Sequence, residues 1–392
     1  MTVVPRTNAL LVGALWGAGL GAAAQFGKIS VLFDRLASVY GDAGPAIGLM
    51  VSVVGLVGLV FGTTAGLVVQ RAGPRRLLVG ALGLGALMSA FQAGLPGYPF
   101  MMASRVLEGV SHLAIVVAAP TLIAQVTSPR HLRVSMTLWA SFFGVSFALT
   151  SWLGLPLVAA FGTSALFLAH AAFMASFALI LWVLLPPDPG TALPRLSFLQ
   201  LLREHGTIYR SPRISAPALG FLFYTTMYVA LLTLLPQMVE DEQRGTVATL
   251  MPLASIALSL TLGVWLLRYL SGVALVRLGL ALSALSALAL WLVWGQGQAV
   301  LVASLALAGA LGLVQGASFT AIPQLNASDA HRAQAAGAVA QLGNLGTTSG
   351  TPILAAMIAG WGINGVLAFT IPLCLAGIAI HGWLSLRRRG AG

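Results

Sequence analysis

The chain has 392 residues, of which 58% are hydrophobic and 7% are charged, and its formal net charge is +11. A soluble globular protein has about 25% charged residues, so this composition excludes a soluble globular protein. Lipid is therefore the expected solvent for much of the chain. The positive charge does not indicate a nucleic-acid partner, because the basic residues lie in short loops and tails between apolar runs, where they set membrane orientation.

Twelve apolar runs are long enough to cross a bilayer as helices, since a spanning helix needs about 20 mostly apolar residues. We number them spans 1 to 12; in chain order they cover 9–32, 45–69, 77–95, 99–125, 134–158, 164–185, 214–238, 247–267, 272–294, 298–322, 334–359 and 363–385. The longest break divides them into six and six. We therefore expect an all-α membrane protein with an N-terminal bundle (1–185), a cytoplasmic linker (186–213) and a C-terminal bundle with a basic tail (214–392).

The arginines predict the orientation of these spans. With the N-terminus in the cytoplasm, 15 arginines lie on inner segments, and only Arg35 and Arg244 lie in outer loops. This distribution follows the positive-inside rule and predicts that both termini are cytoplasmic. The high content of Ala, Gly and Leu beside a single lysine is typical of a GC-rich bacterial genome, so we expect a multi-pass protein of the cell inner membrane.

Span 4 contains the stretch RVLEGVSHLAI, with three ionisable residues in an apolar run: Arg105, Glu108 and His112. Their spacing places all three on one stripe of a helix. An ionisable group inside a bilayer costs at least about 2.5–3.5 kcal/mol, so it is usually paired or faces a wet cavity. Two interpretations of the Arg105–Glu108 pair remain open: a role in transport, or a static ion pair that positions helices.

An internal repeat relates span 4 to span 10. Shifted by 207 residues, LEGVSHLAI at 107–115 meets VQGASFTAI at 314–322, so Ser111 matches Ser318 and Glu108 matches Gln315. Together with the division into six and six spans, this match predicts two pseudo-symmetric halves. Parallel repeats of this kind are one architecture of secondary transporters, with the substrate site between the halves.

The loop after span 2, GLVVQRAGPRR, resembles the signature loop of the major facilitator superfamily (MFS), and the resemblance covers nearly the whole chain. The matching residues are Gly66, Arg71, Gly73, Arg75 and Arg76. Gln70 stands where the family usually has an aspartate, which in the family forms a charged latch to neighbouring helices in one conformation. That latch is therefore in doubt here, although an amide can still form hydrogen bonds.

Span 4 also resembles the family's arginine-x-x-x-glycine signature, through Arg105 and Gly109. The glycine-x-x-x-glycine-proline motif that many exporters carry in span 5 is not matched by GVSFALTSWLGLP, which argues against drug export. The resemblance implies the twelve-helix MFS fold, with spans 1, 4, 7 and 10 lining a central cavity.

Span 1 adds Gln25 and Lys28, whose half of the helix should lie near the charged part of span 4. We expect a polar cluster of Gln25, Lys28, Arg105, Glu108 and His112. In this hypothesis Glu108 takes up the proton, Arg105 is its fixed partner, and His112 is a relay or a substrate contact. The alternatives are that Lys28 extends outward to the lipid headgroups and that His112 only packs.

The second half supplies uncharged candidates for the substrate cavity: Tyr224, Tyr228, Gln315, Ser318, Gln341 and Asn344. The two tyrosines share a helix face and could stack on a substrate, although packing is the alternative. Gln315 should face the cavity if Glu108 does. The small-residue run GNLGTTSGTP around Asn344 is more typical of close helix packing than of binding.

These features favour a secondary transporter that moves a small molecule by alternating access, coupled to protons. If Lys28 and Arg105 face the cavity with only Glu108 to balance them, the substrate is anionic or zwitterionic. A drug or metabolite efflux antiporter and a non-transporting sensor or partner protein are the alternatives. No phosphate-binding loop or catalytic constellation points to an enzyme, and we expect no cofactor, no metal and no nucleic-acid partner. The expected partners are the substrate, protons and the lipid bilayer, and the expected state is a monomer.

Overall fold

The structure, a computed structural model, describes residues 7–62, 73–128, 130–131, 135, 138–187, 205–327 and 329–390, and this part of the chain is helical, without strands. Its helices form two compact units. Unit one contains the described residues of 7–41 and 73–187, and unit two contains those of 42–62 and 205–390. Residues 42–62 thus group with unit two although they precede most of unit one in sequence. The bundle limits at 185 and 214 stay a prediction.

Unit one contains five long helices, which correspond to spans 1, 3, 4, 5 and 6. In that order they are Ala9–Val31, Pro74–Gln92, Tyr98–Gln125, Phe142–Phe161 and Thr163–Leu184, and the short helix Phe33–Val39 follows span 1. The span 3 helix has a clear start signal. Gly73 adopts a φ of 86°, in the left-handed region that favours glycine, and Pro74 occupies the first turn, where its missing N–H costs nothing.

Unit two begins with a 3₁₀ segment, Gly41–Gly48, and the described part of span 2, which is Leu49–Ser52 followed by helix at 54–62. A short helix at 205–210 precedes span 7. The helices of spans 7 to 12 are Ser215–Met238, Asp241–Leu258 with the π-turn Ser259–Gly263 and Val264–Leu266, Gly272–Leu292, Gln298–Leu325, Asp329–Trp361 and Ile363–Gly390.

Nine helices in the described ranges are long and apolar enough to cross a membrane. The other three expected spans are span 2, described only to residue 62, and spans 3 and 11, which form the helices Pro74–Gln92 and Asp329–Trp361. Two helices begin at least five residues earlier than the apolar pattern suggested, at Asp241 by six residues and at Asp329 by five. In span 8 the early start has a physical reason, because Asp241 and Glu242 lie in the first turn, where carboxylates interact favourably with the helix dipole.

The two units repeat the same helix pairings. In unit one, span 3 packs against spans 4 and 6, and span 1 packs against spans 4 and 5. In unit two, span 9 packs against spans 10 and 12, and span 7 packs against spans 10 and 11. Adding six to each span number of the first set gives the second set, as expected for a tandem duplication of a six-helix unit.

Small residues allow the closest helix contacts in unit two. A Cβ atom added at Gly350 in span 11 would meet the backbone carbonyl carbon of Thr226 in span 7 at 2.9 Å, and one added at Gly346 would meet the Thr226 nitrogen at 2.7 Å. Lipid tails are as apolar as the helix surface, so such close packing is a main source of helix association in membranes. The small-residue run of span 11 therefore has the packing role that its composition indicated.

Large apolar side chains cover the outward faces of several helices. Phe161 and Val183, on spans 5 and 6, are 75% and 72% exposed in the isolated chain. The interior of unit one instead holds small and aliphatic side chains, including Leu15, Ala18 and Ile115, which are fully buried. Large apolar side chains on the outside and a tightly packed interior are the arrangement expected of helices whose solvent is lipid.

Candidate functional site

Three charged side chains meet in the interior of unit one: Lys28 of span 1 with Arg105 and Glu108 of span 4. All three are 0% exposed. Lys28 Nζ lies 2.5 Å from Glu108 Oε1, and an Arg105 guanidinium nitrogen pairs with Glu108 Oε2. The expected approach of span 1 to the charged stripe of span 4 is therefore present. The alternative in which Lys28 extends to the headgroups is wrong, because its ammonium group is enclosed.

Span 3 completes the surroundings of the carboxylate. Gln92 Nε2 donates to Glu108 Oε2 at 2.9 Å and to Ser104 Oγ at 3.0 Å. Lys28 also donates to Ser89 Oγ. Glu108 thus accepts hydrogen bonds from three side chains on three helices, which favours its ionised form and fixes its position.

His170 of span 6 closes the far side of this cluster. Its Nε2 lies 2.9 Å from the carbonyl oxygen of Gly21, and its Nδ1 lies 2.7 Å from Ser89 Oγ and 3.4 Å from Lys28 Nζ. A carbonyl only accepts, so Nε2 carries a hydrogen. A second hydrogen on Nδ1 would place two positive charges side by side, because the Lys28 ammonium group lies 3.4 Å away, so we assign Nδ1 as the acceptor of the Ser89 hydroxyl. This assignment makes His170 a neutral ring beside the ammonium group. A hydrogen-bonded chain then runs from Lys28 through Ser89 and His170 to Gly21.

Gln25 and His112 lie apart from the charged cluster. Gln25 Nε2 donates to Ser111 Oγ at 3.0 Å, and Ser111 donates to the carbonyl oxygen of Ala81 at 2.6 Å. His112 Nδ1 lies 3.0 Å from the carbonyl oxygen of Ala22. His112 is one turn beyond Glu108 and therefore reaches span 1 at Ala22, below Lys28. The expected group of five thus separates into a charged cluster of three and two neutral contacts.

Three polar residues of the cluster were not among the expected site residues: Ser89, Gln92 and His170. A sequence signal existed for two of them. His170 interrupts the apolar run LFLAHAAF, and Gln92 lies near the end of span 3. A polar or ionisable residue inside a span is a candidate by default. Ser89 gave no signal, since serine is common in such helices.

In unit two, Tyr224 and Tyr228 stack with their ring centroids 4.8 Å apart and an angle of 27° between the rings. Both are almost fully buried. Ser318 donates to the carbonyl oxygen of Val314 at 2.8 Å, and Gln315 beside it is half-buried. The shared face of the two tyrosines is as expected from their spacing, and a substrate contact for any of these residues stays a proposal.

Gln341 and Asn344 contribute to packing within unit two. Gln341 Nε2 donates to the carbonyl oxygen of Leu59 at 3.1 Å and lies 3.1 Å from His205 Nε2, and its Oε1 accepts from the Tyr209 hydroxyl at 2.7 Å. Burial raises the pKa of Tyr209 to about 12, which keeps this donor protonated. Asn344 donates to the carbonyl oxygen of Ala340 at 2.8 Å.

The signature loop is described only from Gly73 onward, and Gly66, Gln70 and Arg71 lie outside the described residues. Arg75 donates to the carbonyl oxygen of Trp182 at 2.6 Å, and its guanidinium carbon lies 4.5 Å from the Trp182 ring centroid. Arg75 thus joins the beginning of span 3 to the end of span 6. Arg76 is exposed.

Comparison with known proteins gives consistent matches. The family model described as Major Facilitator Superfamily matches residues 15–346. The inner membrane transport protein YajR of Escherichia coli K12 is 25% identical over 233 residues, which is 58% of this chain and 50% of YajR, so the match spans about half the length of that relative. The crystal structure of the human organic anion transporter MFSD10 (TETRAN) matches with a TM-score of 0.68 at 20% identity, over 95% of this chain and 98% of that one. At that identity the structural match shows a shared fold.

Proposed function

Because this chain belongs to the Major Facilitator Superfamily, whose members are transporters rather than enzymes, we propose that it is a secondary transporter. In this proposal the multi-pass membrane protein carries a small organic anion together with a proton. In this proposal Lys28 is the residue that links the two movements. The observation that carries it is the enclosed Lys28–Glu108–Arg105 cluster, which joins spans 1 and 4 and has polar support from spans 3 and 6.

Lys28 has incomplete charge compensation in the cluster. Glu108 is the one described carboxylate that pairs with it, and Glu108 also pairs with Arg105. Its other close neighbours are uncharged: the Ser89 hydroxyl, the neutral His170 ring and the Phe167 ring, whose centroid lies 5.3 Å from Nζ. A buried ammonium group that shares its carboxylate gains from a second anion, and the anionic group of a substrate would supply one.

Lys28 is also the group that most easily changes its protonation. Arginine stays charged in proteins, so Arg105 cannot exchange a proton. Protonation of Glu108 would remove the negative charge that two cations face. Loss of a proton from Lys28 leaves the Arg105–Glu108 pair intact, and the neutral amine can still donate hydrogen bonds to Glu108 and Ser89. We therefore assign the exchanged proton to Lys28, whereas the sequence pattern had suggested Glu108.

In the resulting cycle, substrate binding favours the charged form of Lys28, and substrate release favours its neutral form. Proton and anion then move in the same direction as the two halves alternate in access. The described state, in which the cluster is enclosed, is one state of this cycle. We also propose that the protein acts as a monomer in the cell inner membrane, with both termini and the 186–213 linker in the cytoplasm. The name of the bacterial relative and the arginine distribution support this placement.

The test is transport by the purified protein in liposomes, acidic outside and near neutral inside. Labelled carboxylates and sulfonates are compared with labelled cationic drugs. We expect accumulation of at least one organic anion in the wild type, none in Lys28→Met, and wild-type accumulation in Arg35→Gln, which removes an exposed cation from the same half.

Other outcomes identify the alternatives. If Lys28→Met and Glu108→Gln both fold and accumulate substrate like the wild type, the cluster is a static ion pair. If the pH gradient drives a cationic drug in the opposite direction to the proton, the protein is an efflux antiporter. If no compound of either class moves while the protein remains folded, a non-transporting role is favoured.

A further inference from the structure

Unit two contains a cavity of about 550 Å³, and none of its lining residues belongs to the charged cluster. It opens where the helices of spans 7 and 11 begin and those of spans 10 and 12 end, so it lies at one end of the membrane-spanning part. Its volume is within the range of small-molecule sites. The lining residues are Ser211, Arg213, Ile214, Pro323, Gln324, Leu325, Asn326, Ala327, His331 and Arg388.

Two arginines give this cavity its charge. Arg388, two residues before the end of the span 12 helix, donates to the carbonyl oxygen of Pro212 at 2.9 Å and to Ser385 Oγ at 2.7 Å. Arg213 precedes span 7, and its positive charge acts unfavourably on that of Arg388. None of the ten lining residues has a carboxylate, and neither arginine forms an ion pair with a described carboxylate. Two like charges at one cavity, with no carboxylate among its lining residues, favour an anionic ligand.

The backbone around the cavity also favours a negative charge. The spans 7 and 11 helices begin here, at Ser215 and Asp329, and helix N-termini carry a partial positive charge. Asn326 holds the wall in place, since its side chain donates to the carbonyl oxygen of Ile322 at 3.0 Å and its carbonyl oxygen accepts from Arg332 at 2.9 Å.

We propose that this cavity binds a phosphate group through the guanidinium groups of Arg213 and Arg388. Two guanidinium groups and two helix N-termini suit a tetrahedral oxyanion, which accepts several charge-assisted hydrogen bonds at once. The arginine distribution predicts the cytoplasmic side of the membrane for this end, where a phosphate reaches the cavity in two forms. One is the headgroup of an anionic phospholipid, and the other is a soluble phosphate compound.

The experiment uses the full chain in a lipid-free detergent. Phosphatidylglycerol and phosphatidylcholine are added in turn, and bound lipid is counted by native mass spectrometry. Inorganic phosphate and glycerol phosphate are tested by the shift of the thermal unfolding midpoint. The variants are Arg213→Gln and Arg388→Gln. The matched control is Arg387→Gln, since Arg387 is exposed, neighbours Arg388 and places its guanidinium 4.9 Å from the Trp383 ring centroid rather than in the cavity.

If the proposal holds, one phosphate probe binds selectively, and each of the two cavity variants weakens it by roughly ten-fold, the effect of losing one charge-assisted hydrogen bond. Arg387→Gln should bind like the wild type. Selective retention of phosphatidylglycerol over phosphatidylcholine identifies a lipid headgroup, whereas stabilisation by phosphate or glycerol phosphate alone identifies a soluble ligand. Arg388→Lys and Arg213→Lys, which keep the charge, should retain part of the binding and show that the fold is intact. Absence of binding by all four probes, or equal loss in Arg387→Gln, overturns the proposal.

Discussion

Replacement of Glu108 by glutamine tests the charged cluster by removing the carboxylate that Lys28 and Arg105 both contact. Glutamine has nearly the same shape, so packing around span 4 is preserved. The change leaves the ammonium group of Lys28, which lies 2.5 Å from Oε1, beside a neutral amide inside unit one. It also turns one acceptor oxygen into an N–H₂ donor. In either orientation of the amide, its N–H₂ group therefore faces another donor, because Lys28 donates to one oxygen of Glu108 and Arg105 and Gln92 donate to the other.

The expected loss of stability follows from the burial of the partners. Removal of one member of a buried ion pair costs about 3–5 kcal/mol, since the remaining charge is left uncompensated. All three side chains are 0% exposed, so solvent screening does not reduce this value. In the double variant Lys28→Met with Glu108→Gln, the unbalanced ammonium group is absent. The double variant should therefore lose less than the sum of the single changes, by up to about 3 kcal/mol.

Unfolding of the purified protein in mixed micelles, followed by tryptophan fluorescence, measures these free energies. Glu242→Gln is the matched control, because Glu242 is exposed at the start of span 8 and the change in charge is the same. The reasoning is refuted if Glu108→Gln is as stable as Glu242→Gln, or if the single effects of Lys28→Met and Glu108→Gln simply add.

Three further predictions concern packing, pH and topology. Gly350→Ala should destabilise unit two by roughly 1–3 kcal/mol, because the added methyl group meets the Thr226 backbone. Gly360→Ala on the same helix places its methyl group in open space and should stabilise the protein slightly. Chemical unfolding of both variants measures these changes. The pKa of Tyr209, about 12 against an ordinary value of 10, predicts a contribution to stability that is fully present below pH 10 and falls as pH rises toward 12, since the unfolded state loses the proton first. Tyr209→Phe should therefore show a smaller fall than the wild type in unfolding curves recorded across this range. In a Cys374→Ser background, Arg387→Cys should react with a membrane-impermeant thiol reagent only from the cytoplasmic side, and labelling of intact cells from outside would contradict the predicted orientation.

The sequence was most informative where one helix carries the whole signal. Arg105 and Glu108 are three residues apart, so their shared stripe follows from helix geometry alone, and the low charge content made Lys28 conspicuous. The contact between Lys28 and Glu108 was expected because the family resemblance placed spans 1 and 4 together. The helix pairings of the two units follow the same repeat.

The rest of the site depends on contacts that no single helix specifies. Ser89 and His170 join the cluster because spans 3 and 6 pack beside spans 1 and 4, and periodicity within a helix does not determine which turn faces which neighbour. His112 shares the stripe of Glu108 but lies one turn further on, where span 1 offers a backbone carbonyl instead of a charge. Gln341 was a cavity candidate by its polarity, yet it bonds to a backbone carbonyl of span 2 and to Tyr209.

The central claim is that Lys28 exchanges the proton that moves with the anion. Lys28→Arg keeps a positive charge for the anion but removes the ability to lose a proton. The decisive measurement compares two activities of this variant in liposomes: exchange of labelled for unlabelled anion without a pH gradient, and accumulation driven by a gradient. The account predicts that exchange persists while gradient-driven accumulation is lost. Accumulation by Lys28→Arg at the level of the wild type would contradict it.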